Sequence, residues 1–344
     1  MPRHFLRDDD LTPREQKEVL QLASALKADR FAERPFGGPR TVAILFDKSS
    51  TRTRVSFATG VAELGGSPLV IEAGSSQLGR GESIADTTHV FTRMVSTIVW
   101  RTFGQERITE MARNSTVPVI NALTDQFHPC QILADLQTIA EHTGGYAGGD
   151  AALSGRSMAY LGDGANNMAH SYLLGGATAG MDVRIAAPSS HRPDPAIVRK
   201  AEAIAATTGG NVTITDDPVV AVRDTSAVIT DTWVSMGQEG ESGRGQDVFS
   251  RYAVTEELMG HSGGVFLHCL PAYRGKEVEA SVIDGPASVV WDEAENRLHA
   301  QKALMTWLIT RTKRRPRTHC RRSARAPRCE QRRERASCRS AGAG

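Results

Sequence analysis

No apolar run in the 344-residue chain approaches the ~20 residues that a membrane-spanning helix needs. The opening M-P-R-H-F-L-R-D-D-D lacks the apolar core of a secretory signal, so a cytoplasmic location without a membrane partner is expected. Cysteine is scarce. Only Cys130 and Cys269 precede residue 311, too few for a disulfide framework and in keeping with a reducing compartment. Residues 311–344 contain no Val, Ile, Leu, Met, Phe, Trp or Tyr, so they cannot bury enough apolar surface to offset the entropy of ordering. A disordered basic tail over 312–344 is expected. From residue 311 on there are 13 basic residues against two acidic ones, whereas the rest holds 28 basic and 37 acidic. The formal net charge of +2 therefore joins an acidic body to a basic tail, and a nucleic-acid role would rest wholly on the tail. Cys320, Cys329 and Cys338 fall nine residues apart with His319 beside the first. Structural zinc sites pair ligands about two to four residues apart, so no metal is expected there. The tail reads as an addition, such as a shifted reading frame would leave, to a chain ending near Thr310, in preference to a working basic arm.

What is present from residue 41 onward is an alternation of short β-rich runs with helix-length segments, the pattern of parallel sheets covered by helices. The runs are Thr41–Phe46, Pro68–Glu72, Ser96–Trp100 and Val117–Asn121, then Met158–Gly162, Asp182–Ala187, Asn211–Thr215, Ala227–Asp231, Gly264–Cys269 and Ser288–Trp291. Five glycines within Thr143–Gly155 mark a boundary between the two series. Thr12, Pro13 and Glu15 open a helix with Val19, Leu22, Ala23 and Leu26 on its apolar side. Glu293–Thr310 reads as a closing helix. The expected fold is α/β with two domains, each a parallel sheet flanked by helices, and terminal helices crossing between them. The expected limits are 1–142 with the closing helix 293–310, and 156–292.

Ligands of open parallel sheets bind beyond the carboxyl ends of strands, where helix N-termini collect. Ser50-Thr51-Arg52-Thr53-Arg54 follows the first run and opens a helix, so hydroxyls, free backbone N–H groups and two arginines form an anion cradle suited to phosphate. Arg101 stands past the third run, and His128-Pro129-Cys130-Gln131 opens the helix after the fourth. Proline suits a first helical turn, and the three-residue spacing puts His128 and Gln131 on one side of it. Together with Arg101 they offer donors to a carbonyl oxygen beside the phosphate. Gly162-Asp163-Gly164 after a strand also opens dinucleotide folds, but Asn167 stands where the third glycine belongs and Ala186-Ala187-Pro188 lacks the acid that would hold a ribose. No cofactor is expected.

S-T-R-T-R, W-R-T-F at Trp100–Phe103 and H-P-C-Q resemble the carbamoyl phosphate half of the aspartate and ornithine carbamoyltransferase family. The resemblance implies that Ser50, Thr51, Arg52 and Thr53 bind phosphate, with Arg101, His128 and Gln131 completing the site. Ser75–Ser83 resembles the family's loop into a neighbouring active site, which implies an obligate homo-oligomer, in this family a trimer, with Gln77 contacting carbamoyl phosphate across the interface. D-T-W-V-S-M-G at Asp231–Gly237, H-C-L-P at His268–Pro271 and the asparagine-bearing turn Gly162–Asn167 resemble the family's ornithine branch. That implies Asn167, Asp231, Ser235 and Met236 around ornithine, Cys269 and Leu270 at the reacting centre, and Arg297 of E-N-R on carbamoyl phosphate. A carboxylate such as Asp231 suits a cationic amine, and Ala272 stands where the aspartate branch has an arginine.

The implied reaction moves a carbamoyl group from carbamoyl phosphate to the side-chain amine of ornithine, giving citrulline and phosphate. A related amine such as putrescine, or a non-catalytic phosphate-binding module, are the alternatives; the module would leave Cys269, Asp231 and the Ser235-Met236 loop without a task. Arg101, His128 and Thr53 are expected to polarise the carbonyl, Arg52 and the helix N-terminus to take charge on the departing phosphate, and Cys269 beside Asp231 to accept or relay the amine's proton. The Ser235–Gly240 loop is expected to close over bound carbamoyl phosphate.

Overall fold

The computed structural model describes residues 2–38, 40–72, 77–144, 153–233 and 246–313. Along the chain run α1 (Pro13–Ala28), β1 (Thr41–Phe46), α2 (Thr51–Glu63), β2 (Ser67–Glu72), α3 (Ile84–Phe91), β3 (Thr97–Arg101), α4 (Gln105–Asn114), β4 (Val119–Leu123) and α5 (Pro129–His142). Then come β5 (Ser157–Leu161), α6 (Asn167–Thr178), β6 (Asp182–Ala186), α7 (Pro195–Thr208), β7 (Asn211–Thr215), α8 (Pro218–Val222), β8 (Ala227–Thr230), α9 (Gln246–Phe249), α10 (Glu256–Ser262), β9 (Val265–His268), α11 (Ala280–Ile283) and α12 (Val290–Lys313).

Among the described residues the strands form two all-parallel sheets, ordered β2-β1-β3-β4 and β7-β6-β5-β8-β9. The order reverses direction between β1 and β3 in the first sheet and between β5 and β8 in the second. Such switch points open a crevice at the carboxyl edge, because the following helices leave to opposite faces. The strands at those points, β1, β3, β5 and β8, are almost wholly buried, as strands covered on both faces must be.

Local chemistry sets the helix starts. Thr12 accepts from the Glu15 N–H while Glu15 accepts from the Thr12 N–H, a reciprocal cap, with Pro13 in the first turn. Helix α12 packs on α1, α2 and α5 and also touches β9, so the two terminal helices bridge the halves. One apolar cluster runs continuously from Phe5 and Val19 through Leu133 and Tyr172 to Leu304 and Leu308. Gly175 lets α6 approach α5: an added Cβ would stand 2.6 Å from Ile132 Cγ2, and the Gly175 carbonyl accepts from Gln16 Nε2 at 2.9 Å.

The expected tenth strand, Ser288–Trp291, does not form. Ser288 makes a single parallel bridge to Phe266, and the chain enters α12 at Val290, where Asp292 and Glu293 favour the positive end of a helix. The valines that read as strand instead cover β9 and start the helix. Helix α12 is about a turn longer at each end than Glu293–Thr310 and reaches Lys313. The rest of the expected tail, 314–344, lies outside the described residues. No helix among the described residues is long and apolar enough to cross a membrane.

Candidate active site

The first wall of the crevice is built at the β1/β3 switch point. Ser50 caps α2, its Oγ accepting from the Thr53 N–H at 3.4 Å and donating to Thr53 Oγ1 at 3.0 Å. Arg101 is the last residue of β3, where the register to β4 slips so that Trp100 faces Asn121 but Arg101 faces Leu123. An irregularity of this kind re-aims a side chain, and here the buried Arg101 lines the crevice. His128 holds the N-cap position of α5, ahead of Pro129, and its backbone N–H donates to Ser171 Oγ at 2.9 Å. Ser171 Oγ in turn donates to Asp8 Oδ2 at 2.6 Å, so the N-terminal segment and α6 together pin the His128 peptide.

Arg297 reaches this wall from α12. It donates from Nη1 to Gln131 Oε1 at 2.6 Å and from Nη2 to Thr53 Oγ1 at 3.1 Å. Burial, followed by the charges of Arg297 and Arg52, brings Arg101 down from 12.5 to about 10. Burial and then Arg297 and Arg101 hold His128 far below the usual histidine range, so its imidazole is neutral at pH 7. Arg101 Nε, Arg297 Nε and His128 Nδ1 are buried and find no partner among the described residues. Clustered cations with spare donors attract an anion that accepts from several directions.

The second wall lies at the β5/β8 switch point. Gly162, at φ +132°, turns the chain out of β5, and Asn166 caps α6 while donating to Tyr160 Oη at 2.7 Å. Asn167 Nδ2 donates to the Thr124 carbonyl at 2.7 Å, across to the first half. Asp231 follows β8, and its Oδ1 accepts from the Thr232 N–H at 2.7 Å and from Cys269 Sγ at 3.2 Å. Burial first, then the charges of Asp231 and Glu293, push the Cys269 thiol well above 9. A neutral thiol that already donates to a carboxylate suits the relay half of the expected role better than the accepting half. Leu270, at φ +57°, donates its N–H to His268 Nδ1 at 2.9 Å and receives Arg52 Nη2 on its carbonyl at 2.7 Å.

Two adjoining cavities, of about 810 and 420 Å³, occupy the crevice and share Arg52, Cys269 and Arg297. The larger takes in Ser50, Thr53, Arg101, His128, Asn167, Asp231 and Leu270, and the smaller Thr51 and Gln131. Gln77 is not among their lining residues; it is exposed ahead of the turn Leu78–Arg80. Ser235, Met236 and the loop expected to close, Ser235–Gly240, lie outside the described residues.

Asp231, His268 and Cys269 also offer three metal-ligating atoms within 4.8 Å of one another, a cluster that the linear spacing of histidine and cysteine did not suggest. Both His268 nitrogens are committed, Nδ1 to the Leu270 N–H and Nε2 to Glu277 Oε1 at 3.2 Å. The set therefore lacks the free imidazole that a metal would need.

Sequence reasoning passed over Asp135, Ser171 and Asp8, buried beneath the site, and Glu293, buried in the wall of the smaller cavity. A signal existed for two of them. Asp135 stands four residues after Gln131 on a helix buried from Pro129 to Ala140, and Glu293 four before Arg297, so each shares a helix face with a site residue.

The family description "Aspartate/ornithine carbamoyltransferase, carbamoyl-P binding domain" matches residues 3–141, and "Aspartate/ornithine carbamoyltransferase, Asp/Orn binding domain" matches residues 154–308. The chain is 62% identical over 308 residues to a protein of Bifidobacterium longum subsp. infantis named ornithine carbamoyltransferase, covering 89% of this chain and 95% of that one. It is 62% identical over 311 residues to one of Clavibacter sepedonicus with the same name, covering 90% and 99%. Among solved structures it resembles the ornithine carbamoyltransferase from Pyrococcus furiosus at 42% identity and a TM-score of 0.84, covering 90% of this chain and 97% of that one.

Proposed function

The chain belongs to the aspartate/ornithine carbamoyltransferase family, and from that membership we propose that it transfers the carbamoyl group of carbamoyl phosphate to the side-chain amine of L-ornithine, releasing L-citrulline and phosphate. The observation that carries the ornithine reading is Asp231, a carboxylate held by Cys269 and the Thr232 N–H in the same cavity as Arg101, His128 and Arg297. Residues 1–142 with the start of α12 hold carbamoyl phosphate in this reading, and residues 156–292 hold ornithine. A cytoplasmic setting suits the free thiols Cys130 and Cys269.

Phosphate sits on the N-terminus of α2, against Ser50, Thr51, Thr53 and the Arg52 guanidinium, while Arg101, Arg297 and the neutral His128 face the carbonyl oxygen. The incoming amine, like lysine, has a solution pKa of ~10.4 and attacks only when deprotonated. The guanidiniums that lower Arg101 also disfavour the ammonium form beside them, and Asp231 is the carboxylate placed to take the proton. The amine nitrogen bonds to the carbonyl carbon, the bond from that carbon to the phosphate oxygen breaks, and phosphate leaves with the electron pair. Direct attack needs no covalent enzyme intermediate, because binding both reactants already supplies proximity. Colorimetric assay with carbamoyl phosphate and, in parallel, ornithine, putrescine, N-acetylornithine and aspartate is expected to give product with ornithine alone. Equal turnover of another amine would overturn the role given to Asp231, and phosphate binding without product would favour a non-catalytic module.

The site is completed, in this reading, by Gln77 of a neighbouring subunit in a homotrimer. Gln77 is exposed and outside its own crevice, and Val55, Leu69, Val90 and Met94 expose apolar surface on α2, the edge strand β2, α3 and the turn after it. Co-expressing two separately inactive variants, Gln77→Ala and Arg101→Met, is expected to restore activity, because mixed trimers contain some sites with both residues native. Failure to complement would place Gln77 in its own subunit's site or in none.

A further inference from the structure

Gln131 has an amide with two unlike ends, and its surroundings accept only one orientation. Its Nε2 donates to Asp135 Oδ1 at 2.8 Å and to Glu293 Oε1 at 3.0 Å, while its Oε1 accepts from Arg297 at 2.6 Å. Flipped, the NH2 would oppose the Arg297 guanidinium and that bond would be lost outright, while the carbonyl would face two acids that already bond to each other. Neither acid is free to swing aside. Tyr172 Oη donates to Asp135 Oδ2 at 2.5 Å, and the His268 N–H donates to Glu293 Oε2 at 2.8 Å. Gln131, Asp135, Glu293, Tyr172 and His268 are all at most 1% exposed, and Gln131, Glu293 and His268 stand in the wall of the smaller cavity.

Building on the function proposed above, we infer that Asp135 and Glu293 are positioning residues that hold the Gln131 carbonyl toward the reacting pocket and so select an acyl phosphate bearing an NH2 group. A carbonyl oxygen has two lone pairs, and Arg297 uses one. The other accepts from a carbamoyl NH2 but meets only carbon in an acetyl CH3, and sites built to hydrogen-bond a group discriminate strongly against analogues that lack it. Burial raises both acids, Asp135 to about 6 and Glu293 well above 4.5, with Asp135 further raising Glu293. Burial and the neighbouring Asp135 disfavour the Glu293 carboxylate, so a neutral amide can stand in for Glu293.

The test uses two stable phosphonates, phosphonoacetamide with its NH2 and acetonylphosphonate with a CH3 in the same place, titrated calorimetrically into the full-length wild type, Glu293→Gln and Glu293→Ala. The wild type is expected to bind the amide about tenfold more tightly, Glu293→Gln to keep that preference, and Glu293→Ala to lose it. If Glu293→Ala does not fold, Glu293→Met supplies an apolar residue of similar length. A wild type without preference, or a Glu293→Ala or Glu293→Met protein that keeps it, would overturn the inference. A wild type that prefers the amide but makes no citrulline would overturn the function proposed above and leave this inference standing.

Discussion

Replacing Arg101 by methionine is expected to lower kcat for carbamoyl transfer about 10²- to 10³-fold, the loss found when one preorganised donor to a developing oxyanion is removed. Methionine keeps most of the apolar stem, so the packing around Trp100 and Leu123 should persist. The fold should not suffer. Arg101 is buried among Arg297 and Arg52, its pKa is drawn down from 12.5 to about 10, and no salt bridge to it exists among the described residues. A group whose charged form is disfavoured by folding costs stability, so its removal should leave the melting temperature unchanged or raised. Steady-state kinetics together with a thermal melt check both halves. A kcat within threefold of wild type would remove Arg101 from the reacting centre, and a falling melting temperature would mean that it holds the structure instead.

Asp231→Asn carries the second large effect, on the other substrate. Loss of a charge-assisted bond to an ammonium is expected to raise KM for ornithine about 10- to 100-fold, with KM for carbamoyl phosphate little changed. The same substitution has a consequence that needs no substrate. Burial and then Asp231 push up the Cys269 thiol, and removing the carboxylate charge relieves the second cause but not the first. The thiol pKa should therefore fall part of the way, and alkylation of Cys269 by iodoacetamide at about pH 8 should speed up relative to wild type. An unchanged alkylation rate would mean that the 3.2 Å contact between Cys269 and Asp231 does not govern the thiol.

Much of the scaffold was legible because its causes are local. Thr12 with Glu15, Ser50 with Thr53, and Pro129 in the first turn of α5 are caps whose chemistry spans only a few residues. The nine runs that became strands were marked by β-branched and apolar residues bounded by turn formers, and each observed strand lies within two residues of its expected limits. The tenth failed because Ser288–Trp291 has strand-like residues but only one bridging partner, and a following helix start claimed it. A residue's propensity carries no information about whether a neighbouring strand is there to pair with it.

Which chemistry sits at which strand end is written along the chain: hydroxyls and Arg52 after β1, Arg101 at the end of β3, His128 and Gln131 on α5, Asp231 after β8 and Cys269 after β9. Tertiary structure alone decided what those groups are. Arg297, from the last helix, meets Thr53 and Gln131 because α12 crosses both halves, and Glu293, one turn earlier, meets Asp135 and the backbone of His268. Hydrogen-bond partners, burial and charge state are set by distance in space, and chain folding brings together groups that spacing along the sequence does not relate. For that reason a carbonyl's orientation at Gln131, a thiol kept neutral at Cys269 and a histidine kept neutral at position 128 could be read only from the folded molecule.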